Sequence, residues 1–351
     1  AMRECGEGRF SMNRIKRTAL FAALVLPVFV ALQAARAQSG PDAKLIEGAK
    51  REREVVWYTT TNLETSRVIA EVFQKKYPYV KFVFYRATVG PLINRVLLEA
   101  RSGKFDWDVV SGGGELFAPI MERGLIAPYR SPETRMIDED LVDKQGYWTA
   151  YTVGTFVLGF NKKMVRQQEV PKTYEALLEP KWKGQKIAVD TSAGLLHALI
   201  PVWGKEKALA YFRRLAAQNP VVKESTSIIA QLLNAGEMPL AIGLAHLYEL
   251  NSRKGAPVDW LALEPAVVRV VPTMLSAKTR HPNGAKLFYD FLVGKEGQEI
   301  IRSFNRPSVR RDVLPDPPRL IQGYKRVTMY PELYKNLADT QKIYDAIFNL
   351  R

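Results

Sequence analysis

The sequence predicts an α/β protein of two lobes, each a mostly parallel sheet flanked by helices. Three observations carry this. β-rich runs alternate with helical periodicities from residue 55 to about 123, an order that favours parallel strands covered by helices. The alternation lapses over 125–150, where Pro128 and Pro132 fall, and resumes from 186. The chain has 351 residues, 47% hydrophobic and 25% charged, enough for two ordinary globular domains.

Residues 1–37 read as a removable leader that includes a signal peptide. Met12 stands as its start, and Arg14, Lys16 and Arg17 form a positive segment. Residues 19–32 are apolar, interrupted by Pro27, and are too few to cross a bilayer as a helix. Ala35-Arg36-Ala37 supplies a small-residue cleavage site. The single cysteine, Cys5, falls inside this leader, so a disulfide within the chain is excluded. With three histidines besides, a His/Cys zinc cluster is not expected. The formal charge of +15 is spread among acids, as in Lys50-Arg51-Glu52-Arg53-Glu54, and no run pairs bases with aromatics. The excess reads as a solvated surface with a bias toward anionic ligands, and no nucleic acid is expected.

The first lobe follows in order. Val55-Val56-Trp57-Tyr58-Thr59 is a strand. Residues 63–76 are helical, with apolar positions 69, 72 and 73 on one face, and Thr61 and Glu64 fit a capping box at its start. A strand over 80–85, a helix from Pro91 to Arg101 and a strand over 107–111 come next. Gly112-Gly113-Gly114 breaks that strand before a helix that runs to about Arg123-Gly124. Residues 153–160 read as a strand leaving the lobe.

In the second lobe, strands are expected over 186–189, 239–244 and 267–271. Helices are expected over 174–178, 194–203, 205–217, 227–234, 247–253, 282–293 and 296–303, and a final helix over 331–349. The lobes are placed at 41–150 with about 265–305, and at 151–262 with about 306–351.

Ligands of open parallel sheets sit beyond the carboxyl ends of the strands. Four such ends carry polar or glycine-rich clusters: Thr60, Thr61 and Asn62; Arg86; Ser111, Gly112 and Gly113; and Thr191, Ser192, Ala193 and Gly194. Helix starts there offer free N–H groups and the positive end of the dipole, which suit carboxylates and phosphates. The same Ser, Thr and Asn residues also serve as plain helix caps. His197 reads as a packed histidine, His281 as a turn residue before Pro282, and His246 as the histidine placed nearest a ligand. No signature of a serine hydrolase, zinc protease, P-loop or dinucleotide site is present, so a non-catalytic protein without a cofactor is expected.

Several stretches together resemble one family: FDWDVV at 105–110, ERGL at 122–125, LGFNKK at 158–163, PKTYEALL at 171–178 with PKWKG at 180–184, NAGE at 234–237 and GQE at 297–299. The chain is similar to the periplasmic solute-binding proteins of ABC transporters, in the branch around the ferric-iron-binding proteins. The resemblance implies the class II periplasmic binding protein fold, with two lobes closing on a ligand and the chain crossing near 150–155 and 260–272. It also implies a monomer that delivers its solute to an inner-membrane permease. Iron-binding members use adjacent tyrosines, whereas this sequence has Ala245-His246-Leu247-Tyr248-Glu249-Leu250, with one. The turn Thr191-Ser192-Ala193-Gly194 matches the branch's phosphate-binding turn. The expected ligand is therefore a small organic or phosphorylated anion, with Tyr248 added to the contact residues and no metal site. Ferric iron is the alternative, and a secreted enzyme on a two-lobed scaffold a more distant one.

Overall fold

The computed structural model describes residues 42–350, and residues 45–350 belong to one compact unit. The leader, with Cys5, Met12 and the cleavage site, lies outside the described residues.

In the first lobe, β1 (Glu54–Thr59) pairs in parallel with β2 (Lys81–Arg86) and with β3 (Val109–Ser111). Helices α1 (Ala43–Glu52), α2 (Leu63–Lys76) and α3 (Val89–Arg101) accompany them. In the second, β6 (Ile187–Asp190) pairs in parallel with β7 (Val221–Lys223) and β8 (Leu240–Leu244). Two long strands join the halves. β5 (Thr149–Asn161) runs antiparallel to β8, and β10 (Ala266–Ser276) runs antiparallel to β3, while the two pair with each other from Thr149↔Thr273 to Thr155↔Val268. All thirteen residues of β5 are buried, which explains a run that does not alternate strictly between apolar and polar residues.

Each half has its own apolar core. Trp57, Phe73, Trp107 and Phe288 anchor the first, and Phe160, Leu196, Phe212 and Tyr344 the second. A smaller cluster around Tyr248 and Trp260 covers the other side of β5 and β8. The segment after residue 305 serves both, since Val309 and Ile321 join the first core and Met329 and Tyr334 the second.

Some local expectations are corrected. Asn62, not Thr61, caps α2, its Oδ1 accepting from the Thr65 N–H at 2.9 Å. α3 starts at Val89, two residues ahead of Pro91, which a first helical turn accommodates. The helix after Gly114 is two short pieces, a 3₁₀ turn over Gly114–Leu116 and α4 (Phe117–Met121). The stretch after Tyr330 is a 3₁₀ segment, Pro331–Asn336, before the last helix (Leu337–Phe348) begins. β7 and β9 (Val258–Leu261) are three and four residues long, too short for a period to register in sequence.

Candidate functional site

The carboxyl ends of β1 and β3 carry two of the sequence clusters. The Thr60 N–H donates to the Ser111 carbonyl at 3.0 Å, and the Gly112 N–H to that of Pro272 at 3.1 Å, so the two loops are tied to β10. A side chain at Gly112 would collide with Thr60 and Leu116. Gly113 precedes the 3₁₀ turn that carries Glu115. Thr61 is buried, and its Oγ1 lies 2.5 Å from the Tyr151 hydroxyl on β5. Arg86, opposite Thr59 at the end of β2, is exposed and makes no ion pair among the described residues.

Several predicted contacts are used inside the protein. Ser111 is wholly buried, where its Oγ accepts from the Trp57 Nε1–H at 3.0 Å and donates to Thr273 Oγ1 at 2.8 Å. Asn62 is spent on its helix. Tyr248 is a correction: it is fully buried beneath Gly159 and Gly243, and its hydroxyl donates to the Ala241 carbonyl at 3.2 Å. Sequence spacing placed it on the helix after β8, but the missing Cβ atoms of those glycines open an inward seat that its ring fills.

At the end of β6, the Thr191–Gly194 turn opens α5 (Gly194–Trp203). Part of its donor set is already taken. The Ala193 N–H donates to Gln341 Oε1 at 3.0 Å, and the Gly194 N–H to Ser192 Oγ at 3.2 Å. The Thr191 carbonyl accepts from Gln341 Nε2 at 2.8 Å, and Ser192 itself is exposed. His197 donates and accepts between Thr340 and the Leu333 carbonyl, a packed histidine.

His246, the histidine expected nearest a ligand, is joined by two arginines that the sequence reading did not single out. Arg269 lies on β10, opposite Gly154 of β5. Arg306 follows α10 (Lys295–Ser303), and His246 opens α8 (Ala245–Arg253) at the end of β8. Arg269 Nε, Arg306 Nε and His246 Nδ1 are buried without hydrogen-bond partners, and so is Glu115 Oε2. Neither guanidinium has an ion pair among the described residues. Burial, then the charges of Arg306 and Arg269, hold the His246 imidazole well below the usual histidine range. Burial also lowers the Arg306 pKa, with Tyr151 opposing and Arg269 adding to the effect. Asp190, at the end of β6, is pushed up to about 6 by burial, against the Ser192 N–H and the Arg269 charge. These couplings all run through Arg269, which places the two guanidinium groups, His246 and Asp190 in one electrostatic neighbourhood.

An unsatisfied buried donor costs about 1–3 kcal/mol, more when charged. Like charges brought together out of water add to this. Such a group is costly to the empty protein, and an anion is the ligand that would offset the cost. One signal was readable in advance: Arg269 interrupts the apolar run Ala266-Val267-Val268-Arg269-Val270-Val271. Arg306, in Asn305-Arg306-Pro307, gave none.

A family profile described as bacterial extracellular solute-binding protein matches residues 107–322. The chain belongs to that family. An uncharacterized protein of Haemophilus influenzae is 31% identical over 265 residues, covering 71% of this solute-binding protein and 75% of the relative. A protein of Serratia marcescens named Fe(3+)-binding periplasmic protein is 23% identical over 193 residues, 52% of this chain and 56% of that one. A putative 2-aminoethylphosphonate-binding periplasmic protein of Salmonella typhi is 28% identical over 186 residues, 48% and 52% of the two chains. Among solved structures, iron-bound HitA from Pseudomonas aeruginosa superposes with a TM-score of 0.73 at 19% identity, over 84% of this chain and 99% of its own. AfuA from Actinobacillus pleuropneumoniae, with exogenous fructose-6-phosphate bound, does so with 0.67 at 24% identity, over 84% and 96%. At these identities the structural matches speak for the fold, that of the class II periplasmic binding proteins. Among the described residues no helix is long and apolar enough to cross a membrane.

Proposed function

We propose that this solute-binding protein is the capture component of an ABC importer, working as a monomer after export to the periplasm. It takes up a small organic or phosphorylated anion there and delivers it to a membrane permease, without turnover. The observation that carries the anion is the pair of half-buried arginines, Arg269 and Arg306, whose Nε atoms are buried and unpartnered and whose charges both act on His246. In this reading the Thr60–Thr61 loop, Gly112 and Gly113, Arg86 and the Thr191–Gly194 turn, which follow β1, β3, β2 and β6, add further contacts to the anion. The name of the Salmonella relative and the ligand in the AfuA structure support this class.

Ferric iron is the second reading, favoured by the name of the Serratia relative and by iron-bound HitA. Against it, Tyr248 is turned inward, and two guanidinium groups repel a trivalent cation.

A thermal-shift screen of carboxylates, phosphates and phosphonates, with ferric citrate alongside, tests the choice. A ligand at 100 times its Kd adds about 2.7 kcal/mol of stability. Stabilisation by one anion class supports the proposal. A tyrosinate-to-iron absorption band, with no response to any anion, overturns it.

A further inference from the structure

A cavity of about 710 Å³ shares no residue with the strand-end clusters or with Arg269, Arg306 and His246. Three parts of the chain build it: α4, the stretch 139–148 that leads into β5, and Tyr330 with Glu332 ahead of the last helix. Its volume falls within the roughly 300–1,000 Å³ of small-molecule sites. Its wall is aromatic. Phe117, Tyr147, Trp148 and Tyr330 line it, and the Trp148 and Tyr330 ring centroids stand 6.4 Å apart. Trp148 is almost wholly buried and Tyr330 is exposed, so Tyr330 is the ring most open to a ligand.

The charge of this cavity runs against that of the chain. The sequence holds 51 Lys and Arg against 36 Asp and Glu, whereas the cavity has Glu139, Asp140, Asp143 and Glu332 against Lys144 alone. Asp140 is neutralised by Arg326, whose Nη2 lies 2.8 Å from its Oδ1. Glu139, Asp143, Glu332 and Lys144 form no ion pair among the described residues. Two of the free carboxylates are held in place by one hydrogen bond each. Glu332 Oε1 accepts from the Trp148 Nε1–H at 2.6 Å, and Asp143 Oδ2 from the Tyr147 N–H at 2.8 Å. Their other oxygens take no hydrogen bond among the described residues.

We propose that this cavity binds a small organic cation, with a head of quaternary-ammonium or guanidinium type seated against Tyr330 and the carboxylates of Glu139, Asp143 and Glu332. Aromatic faces carry negative potential and attract a cation, and the carboxylates add to that field. An apolar cavity wall suits a head that is weakly hydrated and loses little on leaving water. A metal ion fits less well, because the rings give it no donor, and no group of three or more His, Cys, Asp or Glu able to hold one occurs among the described residues. The site is separate from the one proposed for the solute and stands whichever solute the protein carries.

Calorimetry on the purified full chain, at one pH and one ionic strength, tests this with choline, agmatine and 3,3-dimethyl-1-butanol, the neutral counterpart of choline. At least one of the two cations should saturate a single site, and the neutral compound should bind about tenfold or more weaker than that cation. Tyr330→Ala should weaken the cation about three- to tenfold. Glu332→Gln keeps an acceptor for the Trp148 indole N–H and removes the charge, and should weaken it about threefold. Arg306→Gln should leave it unchanged. No saturable binding by either cation, or a neutral compound that binds equally well, would overturn the proposal. So would an affinity that neither Tyr330→Ala nor Glu332→Gln alters, since the cation would then sit elsewhere. The comparison in the unaltered protein stands even if a variant fails to fold.

Discussion

Arg269 lies across Gly154 of the neighbouring crossing strand, its Nε 3.1 Å from where a Cβ at Gly154 would stand. Glycine inside a strand weakens it, and here it marks a close approach. The bare backbone at 154 leaves the guanidinium room to lie along β5 instead of pointing away. Gly154→Ala should therefore displace Arg269 by a few tenths of an ångström and lower affinity for the screened anion several-fold. The side chain can yield, so the melting temperature should move little. Calorimetry paired with thermal unfolding checks this, and unchanged affinity would separate Gly154 from the site.

Arg306 is a liability to the empty protein. Its Nε is buried and unpartnered, and Arg269 is a like charge nearby. Replacing a buried ionic group by an apolar one of similar volume often stabilises. Arg306→Met should raise the stability of the ligand-free protein by about 1–2 kcal/mol, and should weaken anion binding about ten- to a hundredfold. Urea unfolding without ligand and calorimetry with it measure the two effects. A fall in ligand-free stability would mean that Arg306 has a structural partner.

The first lobe was legible because its helices and strands alternate in sequence and pair with near neighbours, as β1 does with β2 and β3. The crossing was less so. β5 and β10 are more than a hundred residues apart, and their antiparallel pairing depends on both lobes being built. The site divides along the same line. Polar clusters at the strand ends could be placed from the order of elements alone. Whether their atoms were free could not, since Ser111 answers to Trp57 and Thr273, and Ala193 to Gln341. Arg269 was passed over although it is a charge in an apolar strand, and the lack of a partner for its Nε is a fact of packing.

Ser111 gives a control for that distinction. Its hydroxyl is the acceptor for the buried Trp57 Nε1–H. Ser111→Ala leaves that donor unsatisfied and should cost about 1–3 kcal/mol of stability. Affinity for the anion should stay within about twofold, because the hydroxyl is committed to the core. A large loss of affinity at intact stability would return Ser111 to the ligand.

Asp190 makes a pH-dependent prediction. Its carboxyl titrates at about 6, above the ordinary 3.8, because burial disfavours the charged form more than the Ser192 N–H and Arg269 restore it. Between these values the native state holds a proton that the unfolded chain has released. Stability then falls as pH rises through that window and levels off above it. An amide at this position keeps an acceptor for the Ser192 N–H and cannot ionise, so Asp190→Asn lacks the decline. The variant and the unaltered protein should be close at pH 4. By pH 7 the variant should be more stable by about 1–2 kcal/mol, less than the full shift implies because Asp190 is partly exposed. Urea midpoints at the two pH values measure the gap. A gap of equal size at both would show that the carboxyl is not titrating in this range, and a less stable variant at pH 7 would show that its charge is held by a favourable contact with Arg269.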